Sequence, residues 1–424
     1  MDLAGIDLTD LDRFAGGFPD DVFNELRRCA PIWWQEPTRH TPDGVGFWVV
    51  SNHAHVLEVV ADAASFSSDR APGAPGGGTL IQDLPHGFAA GVLLNMMDDP
   101  RHQQIRRLVT PSVSPKALDS IEAELRARTV AILEALSDRT SCDFLLDVAV
   151  ELPLQATAIL LGVPDADRHD LMKWSNATLD YDDRELGETS AAAEQAAVAA
   201  AAYGRALIAR KCSDTGQDML AVLCRATVDG PDGPEPLSEN ELLMFFSLLI
   251  AAGSETTRNA IALGMAALIE HPEQLDMLRD DRSLLPGAVE EILRWTSPTL
   301  YNRRTATRDV ELGGELLREG NKVTLWWASA NRDEDVFTNP FKFDVLRSPN
   351  PHVAFGYRSH FCLGANLARM EIRIMLDELL ERFSDFALEG PIQRFRTNKH
   401  AGVKHMPVSF RSRKGSSAPS VVGG

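Results

Sequence analysis

The sequence predicts a mainly α chain with a small sheet. Residues 115–225 hold long helical patterns, and another opens at Ser238 and runs to the breaker His271-Pro272. At 1.5 Å per residue, its roughly 33 residues would span about 50 Å. By contrast, the stretches that read as strands are short: 47–50, 301–306, 309–312 and 322–326. The 424 residues are 44% hydrophobic and 24% charged, the balance of a globular protein with a sizeable core. The net charge of −19 argues against nucleic acid or an anionic membrane as a partner. Residues 1–7 lack the basic start and apolar run of a secretory signal, and no apolar run reaches the length that spans a bilayer. A cytoplasmic protein without a membrane anchor is expected. Five scattered cysteines with no C-x-x-C spacing predict neither a disulfide framework nor a zinc site.

In chain order, 47–50 reads as a strand and 55–61 as a helix. Residues 71–78, Ala-Pro-Gly-Ala-Pro-Gly-Gly-Gly, hold no regular element and read as an exposed, mobile loop. Pro100 suits a helix start, which places His102 and Arg106 four apart on one face. Spacing alone makes that a solvated basic face. The alanine-rich stretch 190–202 has high helix propensity and little bulk, so it covers the core loosely. Ser238 and Glu241 form a capping box.

Beyond this cap, residues 242–253 are apolar almost all round, so the helix crosses the interior. Within it lies Ala252-Gly253-Ser254-Glu255-Thr256-Thr257. A buried glycine and a buried carboxylate are each unfavourable in mid-helix, one in backbone entropy and one in desolvation. Gly253 would leave room for a diatomic ligand. Thr256 is placed to bond back to the carbonyl of Ala252, and Glu255 beside it makes an acid and alcohol pair able to pass protons inward. Glu291 and Arg294 stand at i, i+3, a spacing common on exposed helices and contributing there less than about 1 kcal/mol.

The sequence is organised around residues 355–364, Phe-Gly-Tyr-Arg-Ser-His-Phe-Cys-Leu-Gly. Cys362 sits where a glycine-containing loop turns into a helix, so backbone N–H groups and the helix dipole favour a thiolate. Gly356 and Gly364 let the backbone approach a large planar partner.

Phe-Gly-x-x-x-His-x-Cys-x-Gly resembles the haem-binding signature of the cytochrome P-450 superfamily, with Arg358 where the family usually carries a second glycine. Ala252–Thr257 resembles the oxygen-binding motif of that family, His102-x-x-x-Arg106 its propionate-binding motif and Glu291-x-x-Arg294 its buried structural pair. The four occur in the family's order across residues 20–410. The chain is most similar to the actinobacterial family numbered 126, whose neighbours act on sterols and branched lipids.

The resemblance implies a mainly α fold with a small β-rich lobe toward the N-terminus, and one haem-thiolate monooxygenase domain over 1–412 followed by a disordered tail over 413–424. It makes Cys362 the ligand to the iron of heme b. His102, Arg106, Arg304 and His360 face the propionates, and Ala252, Gly253, Phe355, Gly356 and Gly364 complete the haem site. Glu255 and Thr256 are the catalytic pair. Loop 71–78 would roof the substrate pocket, a mobile lid would lie near 179–185, and the turn at 399–403 would reach in. The arginine that often completes the Glu-x-x-Arg cluster is not obvious, since Lys342 stands near its place.

A haem thiolate pushes electron density onto iron and favours O–O cleavage, so the implied reaction inserts one oxygen atom from O2 into a hydrophobic small molecule. No Gly-x-Gly-x-x-Gly joins a strand to a helix, so electrons are expected from a separate ferredoxin and ferredoxin reductase. Two rivals stand beside this. A peroxide-driven enzyme would not need the Glu255 and Thr256 pair, whereas a haem-containing ligand-binding or sensor protein without turnover leaves no mark in sequence.

Overall fold

The computed structural model describes residues 3–178, 186, 189–230 and 232–413. The break expected at 179–185 and the tail expected beyond Arg413 lie outside the described residues. The helices, in order, are α1 (Asp20–Cys29), α2 (His53–Ala61), α3 (Arg101–Val109), α4 (Pro115–Glu134), α5 (Glu151–Leu160), α6 (Arg168–Thr178), α7 (Ala191–Cys212), α8 (Met219–Arg225), α9 (Glu239–Glu270), α10 (Pro272–Asp280), α11 (Leu285–Thr296), α12 (Trp327–Ala330) and α13 (Ala365–Arg382). None is long and apolar enough to cross a membrane.

Helix α9 begins as its sequence dictates. The Ser238 hydroxyl accepts from the N–H of Glu241, and the Glu241 carboxylate accepts from the N–H of Ser238 at 2.8 Å. It ends where Pro272 opens α10. Between these points it crosses the interior, packing against α5, α7 and α11, with almost every residue from Ser254 to Leu268 buried. Helix α13 lies against α4 and α11. Helix α7 covers loosely, as its alanines predict, burying only Ala193, Ala196, Gly204, Leu207 and Ile208.

The sheet of the N-terminal lobe has the strand order 32–35, 47–50, 322–325, 302–306, 66–67. Strands 47–50 and 322–325 run parallel, and the other neighbours are antiparallel. The segment expected as a strand at 309–312 stays outside this sheet, because Val310–Leu312 folds back onto Glu315–Leu317 as a hairpin.

Three expectations need correction. Loop 71–78 is exposed only around Pro72, Gly73 and Pro75, whereas Gly76–Gly77 pairs with Leu84–Pro85 and Gly77 and Gly78 are buried. The glycines permit this, since a Cβ on Gly77 would stand 2.0 Å from the carbonyl oxygen of Asp69. Cys212 and Cys224, predicted unpaired, form a disulfide with Cα atoms 4.9 Å apart, because α8 folds back on the end of α7. The third concerns the spacing of Glu291 and Arg294, which taken alone reads as a solvated pair, whereas both are fully buried, as the resemblance implies. Arg294 meets Glu291 through two N–H groups at 2.8 Å and donates to the carbonyls of Asn331 and Pro340. Arg347, not Lys342, completes the cluster, with Nε 3.1 Å from Glu291 Oε2, while Lys342 is exposed beside Asp344. A buried carboxylate between two guanidiniums is compensated, and removing it strands two charges. Glu291→Ala is expected to lower the unfolding free energy by about 3–5 kcal/mol. Lys342→Ala should stay within about 0.5 kcal/mol, both read by equilibrium denaturation.

Candidate active site

Every residue expected at the site lines one cavity of about 420 Å³ between α9 and the loop before α13. In that loop the N–H of Cys362 donates to the carbonyl of Phe355 at 2.8 Å, and Gly356, at φ 72°, donates to Val353 at 2.9 Å. Only glycine adopts that φ freely. Gly364 caps α13, and a Cβ there would meet nothing within 4 Å, so the backbone is open to the cavity.

The sulfur of Cys362 opens to the lumen but is enclosed by protein around it. Burial pushes its thiol up, and the N–H of Gly364 with Arg106 and Arg369 opposes that without outweighing it. Arg358 has φ 59° and lays its guanidinium 5.2 Å over the ring of Tyr357.

Helix α9 forms the opposite wall. The Thr256 hydroxyl donates to the carbonyl of Ala252 at 3.0 Å, the bond its spacing predicts. Ala252 and Thr256 face the cavity. Gly253 does not do what was expected of it. Its missing side chain would point at α5, where a Cβ would stand 2.2 Å from Thr157 Oγ1, so the glycine serves helix packing and only its backbone borders the cavity. Glu255 is 4% exposed and turned toward the C-terminal turn, with Oε1 3.0 Å from Nδ1 of His400.

Four cationic or ionisable groups gather along one side. His102 Nδ1 donates to Asp99 Oδ1 at 3.0 Å, and its ring stacks on His360 at 4.1 Å. His360 Nε2 meets Ser68 Oγ at 3.2 Å; burial, with Arg304, His102 and Arg106 nearby, pushes its imidazole down to about 2. Burial likewise lowers Arg304 to about 10. Arg304 donates to the carbonyl of Arg303 and Arg106 to that of Phe361, yet among the described residues neither has a carboxylate partner. Two desolvated guanidiniums without an ion-paired carboxylate beside a thiol suit a dianionic ligand that reaches the sulfur.

Sequence reasoning missed part of the wall. Leu80, Leu94, Met96, Leu248 and Leu249 make it apolar, and Asn95, Asn302 and Lys399 add polar points. Burial pushes Lys399 down to about 7, and its ammonium donates to Tyr301 O at 2.6 Å, Asn302 Oδ1 at 2.7 Å and Thr79 O at 3.4 Å. The turn at 399–403 was legible as reaching the pocket, but which side chains it delivers was not. Glu371, nine residues beyond Cys362 in sequence, is another buried group without a sequence signal. Burial raises its carboxyl well above the usual range, and among the described residues Oε2 has no hydrogen-bond partner.

A thiol on a loop before a helix, facing the central helix α9 across a cation-rimmed cavity, is the arrangement of a haem-thiolate oxygenase. The chain belongs to the cytochrome P450 family, whose model it matches over residues 155–405. It is 48% identical over 410 residues to the Mycobacterium tuberculosis protein named "Putative cytochrome P450 126", covering 96% of this chain and 98% of that one. Two further relatives are the steroid C26-monooxygenase of Rhodococcus jostii, 38% identical over 97% of this chain and 86% of that one, and the methyl-branched lipid omega-hydroxylase of M. tuberculosis, 39% identical over 96% and 95%. Among solved structures, cytochrome P450 CYP109Q5 from Chondromyces apiculatus superimposes with a TM-score of 0.82 at 30% identity, over 97% of this chain and 99% of that one. The expected fold and family are thus confirmed. Members of this family are monooxygenases that carry protoporphyrin IX haem and use O2 on hydrophobic substrates. The unpaired Arg106 and Arg304, and the open space at Gly364 beside the thiol, fit that cofactor.

Proposed function

We propose that this protein hydroxylates an elongated apolar molecule of the sterol or methyl-branched lipid class, using electrons from a separate ferredoxin and its reductase. The observation that carries this is the shared cavity of Cys362, Thr256 and the apolar wall of Leu80, Leu94, Met96, Leu248 and Leu249. Haem, when bound, supplies the O2 chemistry. Cys362 would hold its iron, and Arg106, Arg304 and the His102 and His360 pair would take its two carboxylates. Phe355, Gly356 and Gly364 would border it on the side of the Cys362 loop, and Ala252 with the backbone of Gly253 on the side of α9. Thr256 keeps a hydroxyl on the cavity face of α9, and Glu255 supplies it with protons. The apolar wall excludes water and seats the substrate. The steroid and lipid activities in the names of two relatives support the substrate class. A spectral binding screen of C27 steroids and methyl-branched fatty acids, followed by labelling with heavy-isotope O2, tests it. Binding of neither class, or product without label, would overturn it.

Arg358 bears on the electron supply. Its φ of 59° lies in the region glycine occupies without strain, which costs an arginine about 1 kcal/mol. Free positive charge on the neighbouring α13 is limited, because Arg369 is paired with Glu290 and Arg373 with Glu122. Arg358→Gly is expected to keep the haem spectrum and preserve or slightly raise stability. It should slow reduction by an acidic ferredoxin at low salt and flatten the salt dependence. Stopped-flow reduction at two ionic strengths checks this, and equal rates and slopes would reduce Arg358 to a tolerated surface residue.

A further inference from the structure

Adjacent residues leave a helix about 100° apart, so Glu255 and Thr256 do not share a face of α9. Thr256 looks into the cavity, and Glu255 looks at the turn that carries His400. A buried carboxyl that has given up a proton needs another, and the side chain of Glu255 is only 5% exposed. His400 stands 3.0 Å from it, lines the cavity and is 18% exposed.

The turn is fixed for this contact. His400 forms a bridge with Thr299, and the N–H of Ala401 donates to the carbonyl of Pro298 at 2.9 Å. The N–H of Val403 donates at 3.2 Å to the side chain of Asn259, which lies one turn beyond Glu255 on α9. Both Glu255 and Asn259 therefore meet the same turn. Lys399 is not a competing source, since its three N–H groups already have three oxygen acceptors.

We propose that His400 is the positioning residue of the proton path, holding the Glu255 carboxyl and restoring its proton. The inference rests on the monooxygenase reading above. The proton on Nδ1 passes to Glu255 Oε1, the ring regains one from water at Nε2, and Glu255 presents its proton to the Thr256 hydroxyl. No electrons are exchanged in these transfers. An imidazole does this near neutral pH because it gains and loses a proton there at small driving force. Of the charged groups nearby, Glu255 on α9 meets the ring directly, and Lys399 lies next to it on the same turn, where Arg304 and Glu255 in turn bear on Lys399.

The test uses haem-loaded protein with NADPH, a plant-type ferredoxin and its reductase, and no added substrate. His400→Gln keeps a hydrogen-bond donor but cannot relay a proton. It is expected to raise the share of electrons lost to hydrogen peroxide, to enlarge the solvent deuterium isotope effect and to flatten the pH profile between pH 6 and 8.5. A second measurement uses the double variant. If the two residues serve one path, adding His400→Gln to Glu255→Gln should not raise the peroxide share further. A wild-type peroxide share, isotope effect and pH profile in His400→Gln would overturn the proposal, as would effects of the two substitutions that simply add in the double variant. If Glu255→Gln and Thr256→Ala still change the peroxide share, only the role of His400 falls. If all three variants behave as wild type, the Glu255 and Thr256 reading falls with it.

Discussion

Cys362→His is expected to move the ferrous carbon monoxide Soret band from the long-wavelength thiolate position to the imidazole one and to abolish O2-driven turnover. The other cysteines cannot substitute. Cys142 is buried in the core against α4, α9 and α13, and burial pushes its thiol up to about 12. Cys29 is exposed at the end of α1, and Cys212 and Cys224 are joined to each other. None of the four lines the cavity. Difference spectroscopy checks the expectation, with Cys29→Ser as a control that keeps the thiolate band. A retained thiolate band in Cys362→His would move the ligand elsewhere and undo the assignment of the whole site.

Thr256→Ala should retain haem and electron uptake while product formed per NADPH falls by roughly tenfold or more, the order of a lost proton-transfer group. The missing electrons should appear as hydrogen peroxide. The hydroxyl is bonded back to Ala252 at 3.0 Å and faces the cavity, so its removal empties no core space and the fold should tolerate it. Unchanged coupling would take Thr256 out of the mechanism.

What was legible in this sequence is what a short motif carries within itself. The cap at Ser238, the Thr256 bond to Ala252 and the loop around Cys362 are local, and the structure has them where the residues predict. What was missed depends on partners far along the chain. Arg347 meets Glu291 across 56 residues, and His400 meets Glu255 across a separation no periodicity encodes. Gly253 shows a third kind of miss. A glycine records that a side chain is unwelcome without saying on which side, and Thr157 on α5, not the cavity, was the neighbour to be cleared.

The parallel pairing of strand 47–50 with strand 322–325 sets a schedule for the chain as it is made. On its other side, strand 47–50 has only the hairpin partner 32–35. One edge of this apolar ribbon therefore stays open until the second half has left the ribosome, roughly 14–54 s at about 5–20 residues per second. Open strand edges recruit other chains. Aggregation during synthesis is thus a hazard of this topology, and it begins in the lobe that holds none of the Cys362 loop.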